Sequence, residues 1–180
     1  MSRLRWNCIY DRIKDIKNPR GAEIGVFRGE CSSNLLALHP GLKLTLVDTW
    51  NQLTYFGKDD NAVSPTYRKI YELQASENYE ATLDALEKYK GRFEIIRMMS
   101  LYAAKKIKNN ILDFVFVDAA HDYESVTFDI MAWMPKVSPG GFLCGHDYGP
   151  DFPGVKKAVD KIFMKSRIEL DEDLMWFIKL

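Results

Sequence analysis

The sequence predicts an α/β fold: a Rossmann-like, doubly wound, mostly parallel seven-stranded sheet with helices on both faces and a C-terminal antiparallel hairpin. Three observations predict it. Apolar runs of strand length alternate with stretches of helical spacing, which is the signature of a parallel sheet covered on both faces. Those runs are nearly continuous in apolar residues, as burial on both faces requires. The tail RIELDEDLMWFIKL reads as two short strands turning around Asp171–Asp173, a hairpin that closes one sheet edge.

The elements follow in order. AEIGV (Ala22–Val26) is the first strand, and CSSNLLAL (Cys31–Leu38) has helical spacing. LKLTLVD (Leu42–Asp48) is the second strand, followed by a long polar and aromatic stretch. Ser64-Pro65 reads as a helix N-cap with proline at the first helical position. Gly91 ends the helical ENYEATLDALEKYK as a C′ residue. FEIIRM (Phe93–Met98), ILDFVFVD (Ile111–Asp118) and GFLCGHD (Gly141–Asp147) supply three more strands, with Ser138-Pro139-Gly140-Gly141 as the turn feeding the last of them.

The bulk numbers bound the function. At 180 residues the chain is one domain spanning 1–180, with 47% hydrophobic and 28% charged residues, ordinary for a globular protein. Lys+Arg and Asp+Glu balance at 25 each with no basic stripe, so no nucleic-acid partner is implied. No stretch has the roughly 18 uninterrupted apolar residues of a membrane span, and MSRLRWNCIYDRIKDIK lacks the apolar centre of a signal peptide. Cys8, Cys31 and Cys144 are odd in number and far apart, which suits reduced thiols in the cytoplasm. Cys31 stands near a helix start, where an exposed thiol is activated, but packing is its expected role.

Ligands of a doubly wound sheet bind at the carboxyl ends of its strands, beside the point where strand order reverses. The first strand ends in EIGVFRGECSS, where Gly25 and Gly29 allow a tight turn and Ser32-Ser33 begin the helix. Asp48 ends the second strand, 23 positions after Gly25, where a carboxylate accepts hydrogen bonds from both ribose hydroxyls. A pyrophosphate loop has GxGxxG, whereas this one is GxxxG with Glu23 two residues earlier. Glu23 repels a diphosphate but suits a cationic ligand. S-adenosylmethionine, with its sulfonium, its amino group and no phosphate, is therefore favoured over NAD. The expected donor contacts are Glu23, Gly25, Val26, Gly29, Ser32 and Asp48, together with Asp118. Ser100, after the third strand, faces the adenine edge or else caps the helix Leu101–Lys106.

The strand FVFVDAAHDYESV empties into groups that bind protons or metals. Asp118 ends the fourth strand and Asp147 the fifth. On neighbouring strands, about 4.8 Å apart, both carboxylates reach one ion. Oxygen ligands favour Mg²⁺. His146 joins them if the strand breaks there, which Gly145 and Gly149 allow, and its nitrogen makes Mn²⁺ competitive. A divalent ion lowers the pKa of an aliphatic hydroxyl and fixes its oxygen in line with the departing sulfonium. His121, with an unperturbed pKa near 6.5, is the expected catalytic base beside Asp118. Asp122 is read as a helix cap, and His39 is expected at the surface.

Taken together, EIGVFRGECSS, LVDTW, FVFVDAAHDYESVTFDIMAWMPKVSPGGFLCGHDY and GVKKAV resemble the class I S-adenosylmethionine-dependent methyltransferases. The nearest branch is that of the metal-dependent small-molecule and sugar O-methyltransferases of macrolide and aminocoumarin biosynthesis. The resemblance spans roughly Ala22 to Phe163. It implies Mg²⁺ held at Asp118 and at His146-Asp147, with His121 as general base. His146 departs from the pattern, since the branch usually has an aspartate there.

The acceptor implied by analogy is a hydroxyl of a sugar, glycan or small molecule. Residues 49–77 form a connection longer than usual and a candidate acceptor-binding insertion, with Trp50, Tyr55 and Phe56 as an apolar wall and Asp59 and Asp60 for hydroxyls. The same aromatics equally suit pinning the connection to the core. With the core starting by Ala22, the site is open, completed by a second copy in a homodimer, or suited to a large glycan. Three other readings compete: a metal-independent methyltransferase acting on nitrogen, a nicotinamide-dependent oxidoreductase, and a non-catalytic nucleoside-binding module.

Overall fold

The computed structural model describes residues 3–50 and 65–180. Its seven-stranded sheet contains β1 (Arg20–Ile24), β2 (Lys43–Asp48), β3 (Phe93–Arg97), β4 (Leu112–Val117), β5 (Val137–Gly145), β6 (Glu169–Leu170) and β7 (Trp176–Lys179). The order is β3-β2-β1-β4-β5-β7-β6. β1 to β5 pair in parallel, while β7 runs antiparallel to both β5 and β6. The direction of winding reverses between β1 and β4, which opens a crevice at their carboxyl ends.

Alternation along the strands feeds two cores. Phe114 and Phe116 of β4 face one side and Val115 and Val117 the other, and none is more than 5% exposed. On the first face pack α1 (Arg5–Ile13) and α2 (Glu30–Leu38) through Cys8, Ile9, Ile13, Leu35 and Leu36. On the second pack α4 (Ser100–Ala104), α5 (Tyr123–Trp133) and α6 (Pro153–Ile162) through Ala103, Ile130, Trp133, Ala158 and Val159. Full burial of each large apolar side chain contributes about 1.5–3 kcal/mol, so the two layers hold the sheet from both sides. α3 (Pro65–Leu86) starts at the proline expected to begin it and runs into a short 3-10 turn. Gly91 follows at φ 86°, the conformation that suits glycine after a helix end.

Four features differ from the sequence reading. The N-terminal segment, read there only as charged and mixed, is the helix α1, whose apolar residues Trp6, Ile9, Tyr10 and Ile13 recur at helical spacing. The core therefore begins well before Ala22. Ser138-Pro139-Gly140-Gly141 lies inside β5 rather than before it: Leu112 pairs with Val137 and Phe114 with Phe142, so these residues bulge from the ladder. Finally, His39 is buried, not at the surface. Its Nε2 lies 3.0 Å from the Ile16 carbonyl oxygen and its Nδ1 accepts from the Gly41 amide at 3.2 Å, so it knits the turn after α2.

No helix among the described residues is long and apolar enough to cross a membrane. The proposed acceptor wall of Tyr55 and Phe56, with Asp59 and Asp60, lies outside the described residues, as does the Ser64 cap.

Candidate active site

A cavity of about 500 Å³ opens at the carboxyl ends of β1, β2, β4 and β5. Its floor is the loop after β1. Gly25 has φ 90°, and a Cβ there would fall 2.1 Å from the Asp118 carbonyl oxygen, so only glycine lets β1 pass this close to the end of β4. Gly29, at φ 74°, is the N-cap of α2. Between them Phe27 takes φ 54°, a strained conformation for a bulky residue. Three groups hold it there. Its amide donates to Asp48 Oδ2 at 3.0 Å, and its carbonyl accepts from Trp50 Nε1 at 2.8 Å and Thr82 Oγ1 at 2.9 Å.

Asp48 is the organiser of this loop. Oδ2 also accepts from the Val26 amide at 2.9 Å, and Oδ1 from the Trp50 amide at 2.9 Å. Its carboxylate still borders the cavity at the end of β2. Trp50, only 1% exposed, is a core residue packed edge-on against Tyr79 with centroids 5.0 Å apart. Of the two readings open for it, pinning the chain to the core is the one that this geometry describes.

Glu23 is 2% exposed and accepts a hydrogen bond from Ser32 Oγ. Burial pushes its carboxyl up to about 8, aided by the charge of Asp118 and opposed by the Ser32 bond. Ser32 itself is fully buried behind Glu23 and does not line the cavity, so its part is to hold Glu23. Cys31 is buried, and burial drives its thiol well above the usual range, which removes it as an activated nucleophile. Ser100 borders the cavity as the first residue of α4, but its hydroxyl accepts from Trp133 Nε1 at 2.8 Å. The cap position before α4 belongs to Met99.

At the other side of the cavity, Asp118, His121 and Asp147 bring one ligand atom each within 4.8 Å of one another. β5 ends at Gly145, and Asp147 takes φ 62°, so the chain does break where His146 needed it to. Asp147 then stands between two imidazoles. His121 Nε2 lies 2.8 Å from Oδ2, and His146 Nδ1 lies 2.9 Å from Oδ1. His146 Nδ1 is also 3.8 Å from Asp118 Oδ1. His121, expected as a separate base, therefore shares one cluster with the carboxylates expected to hold an ion. Asp122 sits outside it and accepts from the Ser125 amide at 2.9 Å as the N-cap of α5.

The electrostatics of the cluster are coupled. Asp147 is held well below the usual carboxylate range, because the bonds to His121 and His146 outweigh its burial. The Asp147 bond is the largest influence on His121, which is raised in spite of partial burial. For His146, burial alone would lower the imidazole, but the Asp147 bond and the charges of Asp118 and Asp147 raise it. Asp118 is raised, with burial outweighing the attraction of His146 and Arg5.

Two groups at this site gave no signal in the sequence reading. Arg5, from the unforeseen α1, places Nε 3.7 Å from Asp118 Oδ2. Asp173, in the β6–β7 turn, lies 3.6 Å from His146 Nε2 and accepts from the Arg5 amide at 2.8 Å. Both come from the chain ends, and no local motif announces a contact across 168 positions. The apolar spacing of residues 6–13 would have found the helix, though not its partner.

The donor set fits a divalent ion: Asp118, His121 and Asp147 offer two carboxylates and one imidazole on one rim, while His146 turns Nδ1 to Asp147 and Nε2 towards Asp173. Nitrogen donors in such a set make Mn²⁺ or another transition ion at least as suitable as Mg²⁺.

Comparisons with known proteins bear on the family and the fold. The model of a family described as a methyltransferase domain matches residues 22–148. Among solved structures, the O-methyltransferase NovP is 18% identical, covering 97% of this chain and 76% of its own, with a TM-score of 0.67. An O-methyltransferase from Bacillus cereus in complex with SAH is 14% identical over 98% of this chain and 80% of its own, at 0.62. CalS11, a TDP-rhamnose 3'-O-methyltransferase of calicheamicin biosynthesis, is 16% identical over 97% and 77%, also at 0.62. No curated protein sequence matches. At these identities the structures show the fold, while the family match covers most of the chain from β1 past the end of β5: the chain belongs to the methyltransferase-domain family and carries its Rossmann-like class I fold.

Proposed function

We propose that this chain transfers the methyl group of S-adenosylmethionine to a hydroxyl of a sugar or other small molecule. The observation that carries the reading is that Asp118, His121 and Asp147 converge on the same rim as a glycine loop organised by Asp48. The donor's ribose lies against Asp48, with adenine toward Met98 and Ser100, and its cationic end lies over Gly25 near Glu23 and Asp118. That end meets acidic groups, which suits a sulfonium and disfavours a diphosphate.

In the transfer, the acceptor oxygen forms a bond to the methyl carbon as the carbon–sulfur bond breaks and its electron pair stays on sulfur. His121 takes the hydroxyl proton. Asp147 accepts from Nε2–H and so fixes the tautomer with Nδ1 free as the base. The resulting imidazolium is stabilised by the same carboxylate. Asp118, Asp147 and His146 would hold a divalent cation, which supplies a lowered hydroxyl pKa when bound. One observation favours a metal-independent variant instead. The Arg5 guanidinium already faces Asp118 and supplies a cation there.

The test is calorimetry of S-adenosylhomocysteine, with NAD as control, followed by methyl transfer to a panel of nucleotide sugars and polyols with Mn²⁺, Mg²⁺ or EDTA. Binding of the homocysteine product and not of NAD, with EDTA-sensitive turnover, is the expected result. Turnover unaffected by EDTA supports the metal-independent variant, and failure of the product to bind ends the methyltransferase reading of this cavity.

A further inference from the structure

The cavity is rich in acid. Glu23, Glu30, Asp48, Asp118 and Asp147 border it, against two guanidinium groups, Arg5 and Arg28, among the described residues. Arg28 is exposed on the loop, whereas the Arg5 side chain is only 26% exposed. Arg5 is close to two acids and bonded to neither: Nε stands 3.7 Å from Asp118 Oδ2, and Nη2 3.6 Å from Glu30 Oε2. Its Nε is buried with no hydrogen-bond partner among the described residues. A buried donor left unbonded costs about 1–3 kcal/mol, so a guanidinium held in this state calls for a ligand.

The group is also held in place beforehand. Asp173 caps the Arg5 amide at 2.8 Å, while Asp171 binds Arg3 at 3.1 Å and Arg12 at 2.8 Å. α1 is thus tied at both ends to the β6–β7 turn, and Arg5 is presented at the β4 side of the cavity. Asp48 marks the β2 side. With β1 between them, two strand spacings separate the sites by about 10 Å. That span matches the reach from the ribose of a nucleoside to the far end of an amino-acid tail.

From this we infer that Arg5 receives the α-carboxylate of the methyl donor, as a fork of two N–H groups onto two oxygens, and so selects donors that carry an intact amino-acid end. The inference rests on the donor reading given above. It explains an otherwise unsatisfied group: Asp118 and Glu30 hold the guanidinium near, without saturating it, and the carboxylate completes its bonding. It also assigns α1 a task in donor recognition.

The experiment is a cycle of two ligands and three proteins by calorimetry. The ligands are S-adenosylhomocysteine and its decarboxylated analogue, which keeps the amino group, and the proteins are wild type, Arg5→Gln and Arg5→Lys. Wild type is expected to prefer the carboxylated ligand by about 10–100-fold, the range of charge-assisted hydrogen bonds. Arg5→Gln should abolish that preference while binding the decarboxylated ligand as wild type does. Arg5→Lys should restore part of it, because an ammonium lacks the fork. Equal loss for both ligands, or a preference that survives in Arg5→Gln, overturns the inference while leaving the donor assignment intact. Wild type that binds neither ligand overturns the donor assignment and this inference with it. Should Arg5→Gln fail to fold, the wild-type preference and the Arg5→Lys variant decide it.

Discussion

Asp147 holds His121 Nε2 at 2.8 Å with one carboxylate oxygen and His146 Nδ1 at 2.9 Å with the other, from a backbone strained to φ 62°. A strained residue that orients two imidazoles is a positioning device, and its removal separates orientation from chemistry. His121→Ala is expected to lower kcat by about 10²–10⁴-fold, the usual worth of a general base, with S-adenosylhomocysteine affinity within twofold of wild type. Asp147→Asn keeps the imidazole but frees it, so its kcat should fall by a smaller factor. Single-turnover methyl transfer beside product titration separates the two. An unchanged rate in His121→Ala removes it as the base.

Glu23 makes stability and donor binding depend on pH. Burial pushes its carboxyl up to about 8 from an ordinary 4.5, so the folded chain keeps a proton that the unfolded chain releases. The stabilisation is full below about 4.5 and is lost as pH rises through about 8. Melting temperature should therefore fall across that window, and Glu23→Gln should flatten the fall. A cationic donor beside Glu23 pulls its pKa down, so binding at pH 7 should release part of a proton. Calorimetry in phosphate and in Tris measures that release. Equal heats in the two buffers would remove Glu23 as the titrating group.

How much of this was legible in the sequence follows from the range of the interactions. Strands with apolar runs, the glycine loop and the carboxylates at strand ends are local patterns, so the sheet and the placing of Asp48, Asp118 and Asp147 could be read from them. His146 also needed a strand break, and Gly145 beside it gave the warning. Arg5 and Asp173 were out of reach, because their place depends on α1 docking against the far end of the chain. Ser32 was read as facing the ligand from a helix start, and Ser100 as facing the adenine edge or else capping a helix. Sequence position does not say which way a hydroxyl turns, and these turn to Glu23 and Trp133. His39 was misplaced for a like reason: a polar residue before proline looks exposed until two backbone groups are found to satisfy it.

Behind the cavity, Asp129 of α5 lies beside the Ser100 hydroxyl and is only 6% exposed. Burial raises its carboxyl to about 6, with the Ser100 bond opposing. The raised value again means stability that is full below the ordinary 3.8 and lost as pH rises through about 6. Asp129→Asn keeps the shape and a hydrogen bond without the buried charge. It should gain on the order of 1–2 kcal/mol in urea unfolding at pH 8 and nothing at pH 4. A loss at both values would mean that the charge itself is needed by Ser100 and Trp133.

The strain at Phe27 provides the last test. For a residue with a Cβ, φ 54° costs about 1–2 kcal/mol, and the loop stays there because Asp48, Trp50 and Thr82 bond its amide and carbonyl. Phe27 is 45% exposed, so little packing depends on its ring. Phe27→Gly removes the strain and should leave stability equal or up to about 1 kcal/mol higher. It also frees the loop that carries Val26 and Gly29, so donor affinity should fall although no bond to the donor is lost. Trp50→Phe acts from the other side. It leaves the Phe27 carbonyl with Thr82 alone, and should lower both stability, by about 1–3 kcal/mol, and donor affinity. In urea unfolding and product titration, the two variants thus move stability in opposite directions and affinity in the same one. If Phe27→Gly proved as destabilising as Trp50→Phe, the loop would be held by the phenyl ring rather than by the three hydrogen bonds, and the strain would have no bearing on donor binding.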